Sequence, residues 1–338
     1  MAKRVTLADI AARVGVSNVA VSKALSGKPG VSEEMRIRIK QVAEQMGYVS
    51  GSTARSAPAA TGNIGVIMPE HYYEYSVSFY GQLYEKVVRA LYDNHYYGIL
   101  ELLKKEDEQE SNVPKVLQDA KVDGLILVGQ LGEKYIDTMV SQSRLPVFFL
   151  DTYMPSIAFD TVISDGYYGT YLLTDHLIRR GHRKIGYVGN IDATSSIADR
   201  FWGYRKALRE NGIDYEDEWE ISDRSKYGKT YAKILTERRD LDAYVCNCDF
   251  TANILIQNLE ELGVSVPDDV SVVGFDDFLP AGMGMDSERI TSYSVDMERM
   301  AEVCVKSLIK KIKREKYVEG VQIITGRIVE KKTVRSRL

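Results

Sequence analysis

The chain is poor in the residues that build metal and redox chemistry. Its 338 residues hold three cysteines and four histidines. Cys246, Cys248 and Cys304 are too few, and odd in number, for a disulfide framework, which points to a reducing compartment. Cys246 and Cys248 stand at i and i+2 in an apparent strand and should share a face, but no second Cys or His pair lies nearby to complete a zinc site. His71, His95, His176 and His182 are scattered. Also missing are a run of about 18–20 apolar residues that would span a bilayer and an apolar N-terminal segment with a cleavage site, so a cytoplasmic location is expected. There is no glycine-rich dinucleotide turn, nucleophile elbow or metal triad. Gly228-Lys229-Thr230 matches the tail of a phosphate-binding loop, yet Asp223 stands where that loop needs its first glycine, and no strong strand precedes it. Asp276-Asp277 is a carboxylate pair without a nucleophile. No enzymatic activity and no cofactor are therefore expected.

What is present begins at Thr6–Leu25, TLADIAARVGVSNVAVSKAL. Thr6 is a good N-cap, and Leu7, Ile10, Ala11 and Val14 recur at helical spacing. Gly15 stands where that helix must stop, in the left-handed backbone state that glycine reaches cheaply. Ser17 caps a second helix, with Ala20, Val21, Ala24 and Leu25 inward and Asn18, Val19, Ser22 and Lys23 outward. Such a pair reads either as a plain αα-hairpin or as a helix-turn-helix, whose second helix touches base edges and phosphates. Charge favours DNA. Residues 1–61 carry nine Lys and Arg against four Asp and Glu, a net of +5, while the whole chain is −4 and the remainder therefore −9. A basic head on an acidic body suits a phosphate-bearing partner. Ser32 can cap a third helix over 33–46, with Val42, Met46 and Tyr48 closing a small core.

The stretch 50–62, SGSTARSAPAATG, has no apolar stripe. It reads as a flexible tether or as a segment that becomes a short helix only on DNA. From Asn63 apolar strands alternate with amphipathic helices: 64–68, 98–103, 124–129 and 147–151, then 185–190, 243–247 and 270–277. Two consecutive α/β units predict two lobes built on parallel sheets, with a ligand in the cleft beyond the strands' carboxyl ends. The residues just past those ends are Tyr72, Tyr73, Tyr75, Phe79, Asp151, Arg200, Asp249 and Asp276. Carboxylates, a guanidinium and aromatic faces suit a polyhydroxylated ligand. Asp249 fits equally well as a helix cap. Arg200 is the one cation the sequence places in this cleft.

The motifs at 5–34 (VTLADIAARVGVSNVAVSKALSGKPGVSEE), 46–56 (MGYVSGSTARS), 63–69 (NIGVIMP), 175–190 (DHLIRRGHRKIGYVGN), 199–208 (DRFWGYRKAL), 266–277 (VPDDVSVVGFDD) and 290–300 (ITSYSVDMERM) occur in an order that resembles the lactose-repressor-like (LacI/GalR) family of bacterial transcription regulators. The resemblance covers essentially the whole chain. It implies an all-α helix-turn-helix domain at 1–49, a hinge at 50–62, and a two-lobed periplasmic-binding-protein-like α/β domain with doubly wound parallel sheets at 63–338. The first lobe is expected at about 63–162 and 292–320, the second at about 163–291 and 321–338. The implied partners are operator DNA, a second copy of the chain and a small effector, by family habit a sugar. By the same resemblance DNA contact falls to Thr6, Ser17, Asn18, Val19, Ser22, Lys23, Arg55 and Ala57, and effector contact to Tyr73, Phe79, Asp151, Arg200, Asp249 and Asp276. Four departures stand out. Lys23 replaces the usual arginine and lacks its fork. Ala57 replaces the leucine that wedges the minor groove. Cys248 replaces an asparagine, and an aromatic expected near 222–225 is absent.

Overall fold

In the computed structural model of the chain, residues 6–25, 30–46, 60–73, 78–143, 145–153, 159–225, 230–231, 233–234, 240–279 and 288–338 are described. The chain divides into two compact units, Met1–Thr61 and Gly62–Leu338.

The first unit holds α1 (Leu7–Val14), α2 (Asn18–Leu25) and α3 (Glu33–Gln45). A capping box starts α1: the Thr6 hydroxyl oxygen accepts from Asp9 N, and Thr6 N donates to Asp9 Oδ2 at 2.7 Å. Gly15 ends it at φ 79°, donating to Ala11 O, the conformation expected there. Ser17 Oγ accepts from Ala20 N at 3.2 Å and so caps α2. Ile10, Ala11, Val21, Ala24, Ile39 and Ala43 form the buried core. Sequence reading gave the third helix's contribution to Val42, Met46 and Tyr48. Instead Ile39 and Ala43 are buried, Val42 and Met46 flank them, and Tyr48 lies outside the described residues.

The second unit begins β1 (Asn63–Pro69), α4 (Phe79–Asp93), β2 (Tyr97–Leu103), α5 (Lys105–Glu110), α6 (Lys115–Gln118), β3 (Gly124–Val128), α7 (Glu133–Gln142), β4 (Val147–Leu150) and β5 (Thr161–Ser164). It continues with α8 (Gly166–Arg179), β6 (Ile185–Val188), α9 (Ser195–Glu210), β7 (Glu220–Ile221), β8 (Ala243–Cys246), α10 (Asp249–Glu261), β9 (Ser271–Asp276) and β10 (Thr291–Ser294). It closes with α11 (Met297–Lys313), β11 (Val321–Ile324) and β12 (Arg327–Val329). One sheet runs β11-β5-β4-β3-β1-β2, the other β12-β10-β9-β8-β6-β7. All described pairings are parallel except β10 with β12. The central strands of both sheets are fully buried, as a sheet covered on both faces requires.

The chain passes between lobes three times, at Ser164–Gly166, Ser294–Met297 and Ile324–Arg327. These crossings move the expected boundaries. Val321–Ile324 pairs with β5 and belongs to the first lobe, not the second. Asp160 fixes it there: its carboxylate accepts from Gly320 N at 2.7 Å and from Lys311 Nζ at 2.7 Å. Likewise 292–294 pairs with β9 and belongs to the second lobe, not the first. Sequence reading missed both because a four-residue strand carries too little period to be assigned to a sheet.

Helices α8 and α9 pack closely through Gly203, where an added Cβ would collide with the Tyr167 carbonyl oxygen. Backbone cannot yield there as a flexible side chain would. Gly203→Ala is expected to destabilise the second unit by about 1–3 kcal/mol, measured by urea titration. An unchanged midpoint would mean the helices separate without cost.

Candidate functional site

In the first unit α2 presents Asn18, Val19, Ser22 and Lys23, all exposed, on one side, while Val21 and Ala24 face the core. Val19 is 63% exposed despite its apolar side chain. An exposed valine beside short polar and cationic groups can meet a thymine methyl while its neighbours reach base edges and phosphate. Thr6 and Ser17 are also exposed, but their hydroxyl oxygens serve first as helix caps. Arg36 braces α2 by donating to the carbonyls of Lys23 and Ala24 at 3.4 and 3.3 Å. Arg55 and Ala57 lie outside the described residues.

In the second unit the strands' carboxyl ends bring charged groups of both lobes together. Arg200, in the second turn of α9, is only 5% exposed. Its Nη1 donates to Asn247 O at 2.5 Å and its Nη2 to Asp276 Oδ1 at 3.2 Å. Its guanidinium lies 3.9 Å over the Phe275 ring. Asp151 follows β4, faces this group from the other lobe, and is 6% exposed. Tyr80 OH donates to Asp151 Oδ2 at 3.0 Å, and Ser164 Oγ lies 3.5 Å from Oδ1. Tyr72 lies tilted against Tyr80, with ring centroids 4.4 Å apart and planes at 34°. Asp151 and Asp276 both hold left-handed backbone, at φ 60° and 95°. Such conformations are strained for residues other than glycine and persist where surroundings impose them, often at binding sites.

Two further contacts join the lobes. Tyr153 OH donates to Asp199 Oδ1 at 2.8 Å, and Ser195 N and Oγ each lie 3.4 Å from Gln130 Oε1. Both lobe-one groups therefore seat against the first turns of α9, the helix that carries Arg200.

Of the six effector residues expected, Asp151, Arg200 and Asp276 come together. Tyr73 instead sits edge-on to Tyr84 at 6.4 Å, and Phe79 edge-on to Tyr80 at 5.3 Å. Tyr72 and Tyr80 are the tyrosines beside Asp151. Asp249 is turned into its own lobe: 2% exposed, it accepts from Phe278 N at 2.9 Å and Ser292 Oγ at 3.0 Å. Its residue opens α10, but Cys248 holds the N-cap position, and no side chain caps the helix there. Asn247, beside Cys248, matters more than sequence reading allowed, since its carbonyl receives Arg200. Its amide nitrogen donates to Asp223 Oδ2 at 2.8 Å. Tyr80, Asn247 and Asp223 carried no spacing signal: Asn247 and Asp223 meet past the ends of β8 and β7, which flank β6, and Tyr80 reaches Asp151 from the first turn of α4.

Burial is the largest influence on these groups. It pushes Asp151 up from 3.8 to about 6, against the pull of Arg200 and Tyr80, with Asp276 adding to the rise. Burial also raises Asp276, although Arg200 draws it down, and with Asp151 it pushes Tyr72 up to about 12. Because the folded value for Asp151 exceeds the unfolded one, the folded chain retains a proton between about pH 4 and 6 that the unfolded chain has lost. Stability therefore falls as pH rises through that window, by roughly 3 kcal/mol in total. Asp151→Asn is expected to raise the calorimetric melting temperature at pH 7.5 and hardly change it at pH 4. Equal shifts at both pH values would remove this account of Asp151.

Comparison with known proteins gives a consistent picture. Residues 6–50 match the model of bacterial regulatory proteins of the lacI family, and residues 174–334 match the periplasmic binding protein-like domain. The chain is similar to the HTH-type transcriptional repressor PurR of Photorhabdus laumondii, at 26% identity over 97% of this chain and 96% of that one. It is also similar to the HTH-type transcriptional regulator RegA of Clostridium saccharobutylicum, at 27% identity over 97% and 98% of the two chains. Among solved structures, the CelR–cellobiose complex matches with TM-score 0.68 at 22% identity, covering 98% of this chain and all of that one. The lac repressor dimer, bound to operator and the anti-inducer ONPF, matches with TM-score 0.67 at 21% identity over the same shares. No helix among the described residues is long and apolar enough to cross a membrane.

Proposed function

Because the chain belongs to the lacI family of bacterial regulatory proteins, we propose that it represses transcription by binding operator DNA as a dimer, and that a polyhydroxylated small molecule in the inter-lobe cleft controls that binding. The reading of the cleft is carried by one observation: Asp151 of the first lobe and the Arg200–Asp276 pair of the second converge in a buried, strained site. In this reading Asn18, Val19 and Lys23 touch base edges, and Thr6, Ser17 and Ser22 hold the reading helix against phosphate. Arg55 and Ala57 belong to the hinge contact. A cleft ligand alters DNA binding only to the extent that it prefers one lobe arrangement over the other.

The supporting likenesses have different weight. The relatives PurR and RegA carry regulator names; cellobiose and D-xylulofuranose accompany two similar structures, which suits a carbohydrate here. Fluorescence anisotropy of the full chain with candidate operators tests the first half. Affinity should fall steeply with salt, because each neutralised phosphate releases counterions. Binding that ignores salt, or that no operator-length duplex competes for, would refute DNA reading by this head.

A further inference from the structure

A cavity of about 310 Å³ opens beside the first crossing between the lobes, Ser164–Gly166. None of Tyr72, Tyr80, Asp151, Arg200 or Asp276 lines it. One wall is β11, the outermost strand of its sheet. No further strand covers Val321 and Ile323, which line the cavity and are 53% and 55% exposed. Tyr153 of the first lobe and Tyr167 of α8 add two rings. Asp165 and Asp199 complete the lining. A Cβ on Gly166, the neighbour of Asp165, would lie 3.7 Å from Asp199 Cβ, so the two carboxylates belong to one corner. Each uses one oxygen for structure. Asp165 Oδ1 accepts from Tyr168 N at 3.0 Å as the cap of α8, and Asp199 Oδ1 accepts from Tyr153 OH at 2.8 Å. Their Oδ2 atoms accept from no described residue, and neither carboxylate has an ion-pair partner among the described residues. Arg200, next in the chain to Asp199, commits its Nη1 to Asn247 O and its Nη2 to Asp276.

We propose that this cavity binds a small organic cation, an amine or amidine on an apolar body, its charge at the free oxygens of Asp165 and Asp199 and its body against Val321, Ile323 and the two tyrosine rings. The site stands apart from the cleft reading and does not depend on it. The corner offers acceptors without donors, and an ammonium group is all donor. Tyrosine faces attract a cation as well. The apolar body removes two exposed aliphatic side chains from water. An anion would face two carboxylates, and a neutral polyol would find no guanidinium or ammonium donor and would leave the aliphatic wall wet. Both lobes build the site, and the Tyr153–Asp199 hydrogen bond crosses between them. Occupancy therefore favours the lobe arrangement in which both walls are present.

The test is calorimetric titration of the full chain, at low salt, with phenethylamine, its neutral isostere 2-phenylethanol and its anionic counterpart 3-phenylpropionate. The amine alone should bind saturably, with Kd below about 1 mM. Asp165→Asn and Asp199→Asn separate charge from structure: asparagine caps a helix as well as aspartate does, and its amide oxygen can still accept from Tyr153. Each variant should keep the parent melting temperature and bind the amine at least about tenfold more weakly. Ile323→Lys puts an ammonium of the chain's own beside the cavity and should abolish binding. No amine binding, equal binding of the alcohol, or parent affinity in both asparagine variants overturns the proposal. Amine binding that survives those variants and disappears in Arg200→Ala places the amine in the cleft instead, which overturns this site and leaves the cleft reading standing. Binding of an extended lysine-bearing peptide while the amine fails assigns the face to an added strand on β11 and likewise overturns it.

Discussion

Arg200→Ala is expected to abolish the effector response while operator binding persists. The substitution removes the donor to Asn247 O and takes from Asp276, 12% exposed, its ion-pair partner at 3.2 Å. Breaking a buried pair by deleting one member costs about 3–5 kcal/mol of stability, felt first at the site that would receive the ligand. The strained φ of 95° at Asp276 also loses a contact that holds it. The head is a separate compact unit, so its operator affinity has no direct dependence on this pair. A gel-shift titration with and without effector separates the two effects. A normal ligand response in Arg200→Ala would show that the ligand binds elsewhere.

Ile39→Ala is expected to eliminate operator binding at 37 °C through folding, with the body untouched. Ile39 is fully buried with Ile10 and Val21 in a core that holds six buried residues among those described. Truncating a buried isoleucine costs about 2–5 kcal/mol, comparable to the whole stability of a unit this small. Hydrogen exchange should collapse for α1–α3, while the body's thermal transition and ligand shift stay in place. High operator concentration should restore part of the fold by mass action. Full protection in α3 of the variant would show that this core does not hold the head together.

The head was legible because its signals are local. Thr6, Gly15 and Ser17 act within a few residues of themselves, and the apolar spacing of Ile10, Val21 and Ala24 maps directly onto faces of short helices. The two-lobed body was legible in outline for the same reason: strand–helix alternation is a short-range pattern, and ligands gather past strand ends. Asp151, Arg200 and Asp276 could be picked out from that rule and from motif likeness.

What the sequence by itself determined, then, was the three helices of the head, the polar face of the reading helix, and the strands β1–β4, β6, β8 and β9, but not the short strands β5, β7 and β10–β12. Tertiary structure alone decided which sheet receives β11 and β10, because both are four-residue strands too short to show their partners, and that of β11 lies 160 positions away. It also decided that Tyr72 and Tyr80, rather than Tyr73 and Phe79, border Asp151, and that Asp249 turns inward. These outcomes depend on helix rotation and on contacts between residues far apart in the chain, such as Tyr80 with Asp151, 71 positions away. No local spacing encodes a contact of that separation; packing selects it when the sheets form.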